Sequence, residues 1–194
     1  ARNIKGYDRN ISVHNPVLQQ LARRLADRYE VGAHPSWQSG DDPGLLAQEM
    51  KTVGDMCGKA LRSSRQHYIR MAFPSTYRIL LANGIRDDYS MGYATINGFR
   101  ASVSSSFQWY DLENDCATGL RVHPFCYMDA NAFHELRMGP DEAFTEMSNL
   151  YQSVRKVNGR MIGIWHNSML GTDPMYKGWR EAYVAFLEML PVGS

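Results

Sequence analysis

RQHYIRMAFPSTYRILLANGIRDDYSMGY, residues 65–93, decides the fold class, because it reads as strand, helix and strand with short joints. RQHYIRMAF reads as a strand. PSTYRILLANG is a helix stopped by Gly84, and IRDDYSMGY is a second short strand that ends in polar residues. Two strands joined through a helix lie parallel, so the stretch predicts a βαβ unit.

The same rhythm extends in both directions. Upstream, NPVLQQLARRLADRY (15–29) sets Leu18, Leu21 and Leu25 at helical spacing, and YEVGAHPS (29–36) predicts a short buried strand that ends at His34 and Pro35. Asp42 and Pro43 open a further helix in DPGLLAQEMKTVGDMCGKAL (42–61). Downstream, FRASVSSSFQWYDL (99–112) predicts a strand or extended hairpin inside a loop-rich stretch, and LRVHPFCYMD (120–129) predicts a strand. PDEAFTEMSNLYQSVRKVNG (140–159) is a helix closed by Gly159, and RMIGIWHN (160–167) is a strand apolar enough for burial on both faces. A last helix covers 177–190. Alternating strands and helices imply a parallel α/β sheet, either open and doubly wound or closed into a barrel, and the pattern alone does not separate the two. No glycine-rich phosphate loop follows any strand, which removes the main support for a nucleotide site. Without a repeat or an interdomain linker, residues 1–194 read as a single domain.

Composition narrows the partners. With 21 basic against 20 acidic residues the net charge is +1, so no single-sign surface is available for a nucleic-acid backbone or an acidic membrane. No apolar run approaches the roughly 18 to 20 residues that cross a bilayer, and the opening ARNIKGYDRN has no signal-peptide core. Cys57, Cys116 and Cys126 are an odd set without C-x-x-C spacing, which argues against a disulfide framework or a thiolate zinc site and favours a reducing, cytoplasmic setting. The sequence carries no signal for an oligomeric state.

His34, the Arg65–Arg70 segment, Asp87, Asp88, His123 and His166 all fall in or at the ends of predicted strands. Parallel strands share one carboxyl edge, so these side chains converge where α/β enzymes place their chemistry. Three histidines there suit metal-assisted or acid–base catalysis, although an imidazole also serves as a hydrogen-bonded core group. Adjacent Asp87 and Asp88 point to opposite faces of a strand and form no acid–base dyad; one of them is expected to anchor a loop. His134 and Glu135 are followed by Met138 where a metalloprotease helix needs its second histidine, and no G-x-S-x-G elbow is present. Trp37, Tyr68, Tyr89, Trp109 and Trp165 lie near the same strand ends, either as core or as rings that stack on sugar faces.

Taken in order, EVGAHPSW, RQHYIRMAFPSTYRILLANGIRDDYSMGY, GFRAS, RVHPFCYMD and MIGIWHN resemble the polysaccharide deacetylases of carbohydrate esterase family four, in a divergent bacterial branch. The resemblance spans most of the chain and implies a distorted (β/α) barrel that removes acetyl groups from sugars with a divalent metal, usually zinc. It implies that His34 is the first histidine of an H-x-x-x-H metal motif. Gln38 stands at the second position, and His67 is the candidate to supply the missing imidazole. Arg70 resembles the arginine that orients the catalytic base, with Arg65 as a competing candidate. His166 matches the histidine that protonates the leaving group, and Asp88, Tyr89, Arg100, His123 and Trp165 would line the substrate groove. The family's opening T-F-D-D motif, with its base and metal-ligand aspartates, has no counterpart, so the resemblance also implies a chain that starts after the first catalytic strand. Two further readings stand beside the deacetylase: a non-catalytic glycan-binding member of the same fold, and a hydrolase of another non-peptide C–N bond.

Overall fold

Helices begin where the caps predict and strands prove shorter than the pattern predicts in the computed structural model, which describes Asp8 and residues 11–191. The polar opening run ARNIKGYDRN, Asp8 apart, therefore lies outside the described residues. The elements are α1 (Pro16–Ala26), α2 (Pro43–Cys57), β1 (Ser63–Ser64), α3 (Ser75–Ala82), β2 (Asp87–Asp88), β3 (Phe107–Asp111), β4 (Cys116–Val122), β5 (Tyr127–Met128), α4 (Pro140–Lys156), β6 (Gly163–Ile164) and α5 (Trp179–Met189). Contacts divide them into two compact units, one reaching to Ser90 and taking in Phe107–His123, the other formed by Met91–Ser106 and the residues from Pro124 onward.

In the first unit, Asn15 caps α1 by accepting from the N–H groups of Val17 and Leu18 at 2.9 and 3.2 Å, and Pro16 occupies the first helical position, where its missing N–H costs nothing. The helix ends before Tyr29, with Lys59 Nζ donating to the Ala26 carbonyl. Asp42 caps α2 in the same manner, and the helix stops at Cys57 rather than Leu61 because Gly58 turns left-handed at φ 74°. The sheet has the order β1–β2–β4–β3, extended beyond β1 by one parallel bridge between Ala33 and Ser64. Ser63 and Ser64 pair with Asp87 and Asp88, which pair in turn with Arg121 and Val122, all parallel, and β3 closes the edge as an antiparallel hairpin with β4.

Two strand expectations are corrected here. The strand predicted at residues 65–73 is instead Ser63–Ser64, followed by a tight turn at His67–Ile69. The apolar residues of that stretch do not share one buried face, since Tyr68 and Phe73 are 56% and 46% exposed. LRVHPFCYMD is two strands: Pro124 has no N–H to continue a ladder, so β4 ends at Val122 and β5 begins at Tyr127.

In the second unit β5 and β6 run parallel, with Tyr127 opposite Gly163 and Met128 opposite Ile164. Of the apolar run RMIGIWHN only these two residues form strand, and Gly163 is exposed while Ile164 is buried. Tyr127, Ala132, Ala143, Met147, Met169, Trp179 and Phe186 make the core between this ribbon, α4 and α5. Each large side chain there contributes about 1.5–3 kcal/mol by leaving water. Gly92 is required where it stands, because a Cβ would meet the Phe125 ring at 2.2 Å. α4 ends at Lys156, and Asn158, at φ 50°, takes the left-handed place expected of Gly159. The architecture is mixed α/β. Among the described residues the sheets are small and neither closes into a barrel. No described helix is long and apolar enough to cross a membrane.

Candidate active site

The parallel segments of the first unit deliver polar residues to one edge. His34 follows the bridging Ala33, Arg65 to His67 follow β1, Tyr89 and Ser90 follow β2, and His123 follows β4. His34 Nδ1 lies 2.7 Å from the Arg65 carbonyl oxygen. A carbonyl only accepts, so Nδ1 carries the proton and Nε2 of the neutral ring holds a lone pair. His67 packs edge-on against this ring at 4.8 Å between centroids, with its own Nδ1 2.7 Å from Asp8 Oδ1. His123 Nε2 lies 2.7 Å from Asp87 Oδ1, under the stacked ring of Tyr89 at 4.5 Å. A shallow cavity of about 290 Å³ is bordered by Glu30, His34, Ser63, Arg65 and Tyr89.

Asp8 is 2% exposed and accepts from the Trp37 N–H at 3.3 Å to each oxygen. Arg70 holds the same residue from its other side: Nη1 donates to the Trp37 carbonyl at 2.8 Å, and the guanidinium carbon stands 3.9 Å over the indole. It is also ion-paired with Asp41. Arg70 thus reaches Asp8 only through the Trp37 peptide. Arg65 contributes its carbonyl to His34 and its side chain to the cavity wall. Gln38 begins the 3-10 turn Gln38–Gly40.

Asp88, expected along a substrate groove, is instead fully buried and committed to Ser90, accepting from its N–H at 3.0 Å and its hydroxyl at 2.7 Å. It is the loop anchor of the Asp87–Asp88 pair. Burial pushes its carboxyl up to about 6, against which the hydrogen bonds from Ser90 and Tyr77 pull down. Arg100 lies on the surface in the irregular segment before β3.

In the second unit Asp129 follows β5 and His166 follows β6, so neighbouring parallel strands bring them together. His166 donates its backbone N–H to Asp129 Oδ2 and places Nδ1 by Oδ1, both at 2.6 Å. The carboxylate is 0% and the imidazole 40% exposed. A double grip of this kind fixes the ring plane and the tautomer, leaving Nε2 to exchange protons. Trp165 belongs to an aromatic cluster with Tyr127, Trp179 and Tyr183, at 5.7, 6.2 and 4.8 Å.

Three histidines are therefore each paired with an aspartate, and two of those aspartates, Asp8 and Asp129, were not singled out by sequence. Asp129 had a signal, as the first carboxylate after the apolar run of RVHPFCYMD. Asp8 had none beyond its aromatic neighbour in GYDRN. As a site for a divalent metal, His34 and His67 supply suitable donors: two adjacent imidazoles, each oriented through Nδ1 by an oxygen acceptor, the usual support for a ligating Nε2. A catalytic zinc takes three protein ligands. Among the described residues no group of three or more His, Cys, Asp and Glu is placed to hold a metal.

No protein-family model and no curated protein matches this chain by sequence. In structure, 88% of the chain is similar to 59% of the crystal structure of a "putative polysaccharide deacetylase from Mycobacterium smegmatis", with a TM-score of 0.59 and 13% sequence identity. The likeness is one of fold, and the chain spans about 59% of that protein's length.

Proposed function

We propose that the chain is part of a metal-dependent hydrolase that removes acetyl groups from a sugar or polysaccharide. The observation that carries this reading is the His166 imidazole, locked by buried Asp129 at the ends of two parallel strands. The fold shared with a protein described as a deacetylase supports it, as does the order of the motifs along the sequence.

In this reading His166 Nε2 gives a proton to the departing sugar amine or alkoxide as the bond to the acetyl carbon breaks, and one water is consumed for each acetate formed. Asp129 acts by holding Nδ1–H, so that Nε2 always faces the leaving group in the right tautomer. His34 and His67 would hold the divalent metal, zinc, with the remaining ligands supplied by residues other than those described. Once bound, such an ion supplies an acidified water and positive charge at the acetyl oxygen. Asp8 and the Arg65 carbonyl keep the two rings in register, and Arg70 fixes Trp37 behind Asp8. The candidate substrate contacts are Tyr89 and His123 on the first unit and Arg100 and Trp165 on the second, and Tyr89 also borders the cavity beside His34. Three free thiols fit a reducing, cytoplasmic compartment.

The test is a panel of N- and O-acetylated sugars offered to the full-length protein, with chelation and zinc add-back. Zinc-dependent acetate release supports the reading. Release of another amine from a non-sugar amide would reassign the substrate, and saturable glycan binding without turnover would replace the enzyme with a binding protein.

A further inference from the structure

We propose that Ser90 is a positioning residue for His67: backed by buried Asp88, its hydroxyl clamps the peptide N–H of Gln66 and so fixes the turn on which that imidazole stands. The inference deepens the reading above, since it rests on His67 belonging to the site, and its geometry lies wholly within the first unit.

The last backbone link between β1 and β2 is the Tyr89 N–H to the Ser64 carbonyl at 2.8 Å. Two residues beyond the Ser64–Asp88 pair, the next link is made by a side chain: Gln66 N–H donates to Ser90 Oγ at 2.9 Å. The direction of this bond is imposed from behind. Asp88 Oδ2 takes the Ser90 hydroxyl hydrogen at 2.7 Å and Oδ1 takes the Ser90 N–H at 3.0 Å, so Oγ turns its lone pairs to Gln66. Gln66 is further tied by Nε2 to Ser64 Oγ at 3.1 Å. Asp88 and Ser90 are 0% exposed and Ser64 and Gln66 2%, so water does not substitute for these partners.

Immediately past this clamp the chain does something costly. Tyr68 and Ile69 both sit at positive φ, 57° and 52°, a region that a β-branched residue rarely adopts. Such a turn persists because its surroundings over-determine it. Here Ser90 holds the peptide that enters the turn, and Asp8 holds the His67 ring at 2.7 Å. Without Ser90 Oγ the Gln66 N–H loses its acceptor and the turn loses the anchor at its entry, so the ring that meets His34 is no longer set in one orientation.

The measurement is the ring-nitrogen NMR signature of His67 in the full-length protein, read without substrate for the parent, Ser90→Ala and the near-isosteric Ser90→Cys, with His166 as the internal control. The parent is expected to show a single tautomer protonated at Nδ1. Ser90→Ala should move His67 toward the averaged signature of a mobile ring and weaken zinc binding about 10- to 100-fold, Ser90→Cys should lie between, and His166 should not change. If Ser90→Ala does not fold, Ser90→Cys carries the comparison alone. An unchanged His67 signature in a folded variant overturns the inference even where acetate is released. A changed signature upholds it even where no acetylated sugar is turned over.

Discussion

Asp88→Asn removes a buried charge from beneath the strand ends, and its effect on stability should reverse sign with pH. The Asp88 carboxyl moves from its ordinary 3.8 to about 6 on folding because burial penalises the ionised form. At about 1.4 kcal/mol per pH unit, that difference amounts to about 3 kcal/mol between the two protonation states. Between these two values the unfolded chain has released a proton that the folded chain still holds, so the folded state loses stability as pH rises through the window and stays at the lower level above it. Asparagine has no such penalty. It can accept from the Ser90 N–H, but its amide must donate to Ser90 Oγ, which strands the hydroxyl hydrogen at a cost of about 1 kcal/mol at every pH. The variant should therefore be less stable than the parent by about 0.5 kcal/mol near pH 4 and more stable by about 2 kcal/mol near pH 7, with the curves crossing between. Urea unfolding at half-unit pH steps, followed by tryptophan fluorescence, gives both curves. Parallel curves from pH 4 to 7 would refute a buried, destabilised carboxylate at this position.

Gly92→Ala should destabilise the fold by about 1–3 kcal/mol or more, seen as a lowered Tm, because the added methyl enters the space of the Phe125 ring. His67→Ala should lower the zinc content of the purified full-length protein, measured by atomic emission, whereas His134→Ala, on the second unit's π-helical turn, should leave it unchanged. Native alkylation at pH 8 should label exposed Cys116 first. Cys126, pushed up to about 12 by burial, and buried Cys57 should react only on unfolding, and prompt labelling of Cys126 would contradict its placement.

The helices were legible because their ends are written in local chemistry: Asn15–Pro16, Asp42–Pro43, Gly139–Pro140 and Gly58 act through hydrogen bonds and φ values that need no tertiary partner. The strands were less so. Ser63–Ser64 pairs on both sides yet carries no apolar residue, while Tyr68 to Phe73 is mostly apolar but lies in and after a turn. Short parallel strands draw their identity from their neighbours, which one segment cannot reveal. The strand-end histidines were found because chemistry collects at carboxyl edges, and His34, His67 and His123 do lie at the edge of one sheet. Their carboxylate partners were not found, since His67 to Asp8 and His166 to Asp129 are contacts across 59 and 37 residues. Asp88 was placed on the wrong side of the backbone because a two-residue strand leaves open which of two adjacent carboxylates points inward.

In the proposed function Asp129 and His166 act as one acid–base unit in acetate release. The direct test is the rate on the best acetylated sugar for the full-length protein and for Asp129→Asn, His166→Ala and the double variant. Each single change should lower kcat by about 10²- to 10⁴-fold, with the folded state intact by circular dichroism, and the double variant should be no slower than the worse single one. Either single variant retaining the parent rate within a few-fold, or the two losses multiplying in the double variant, would contradict it.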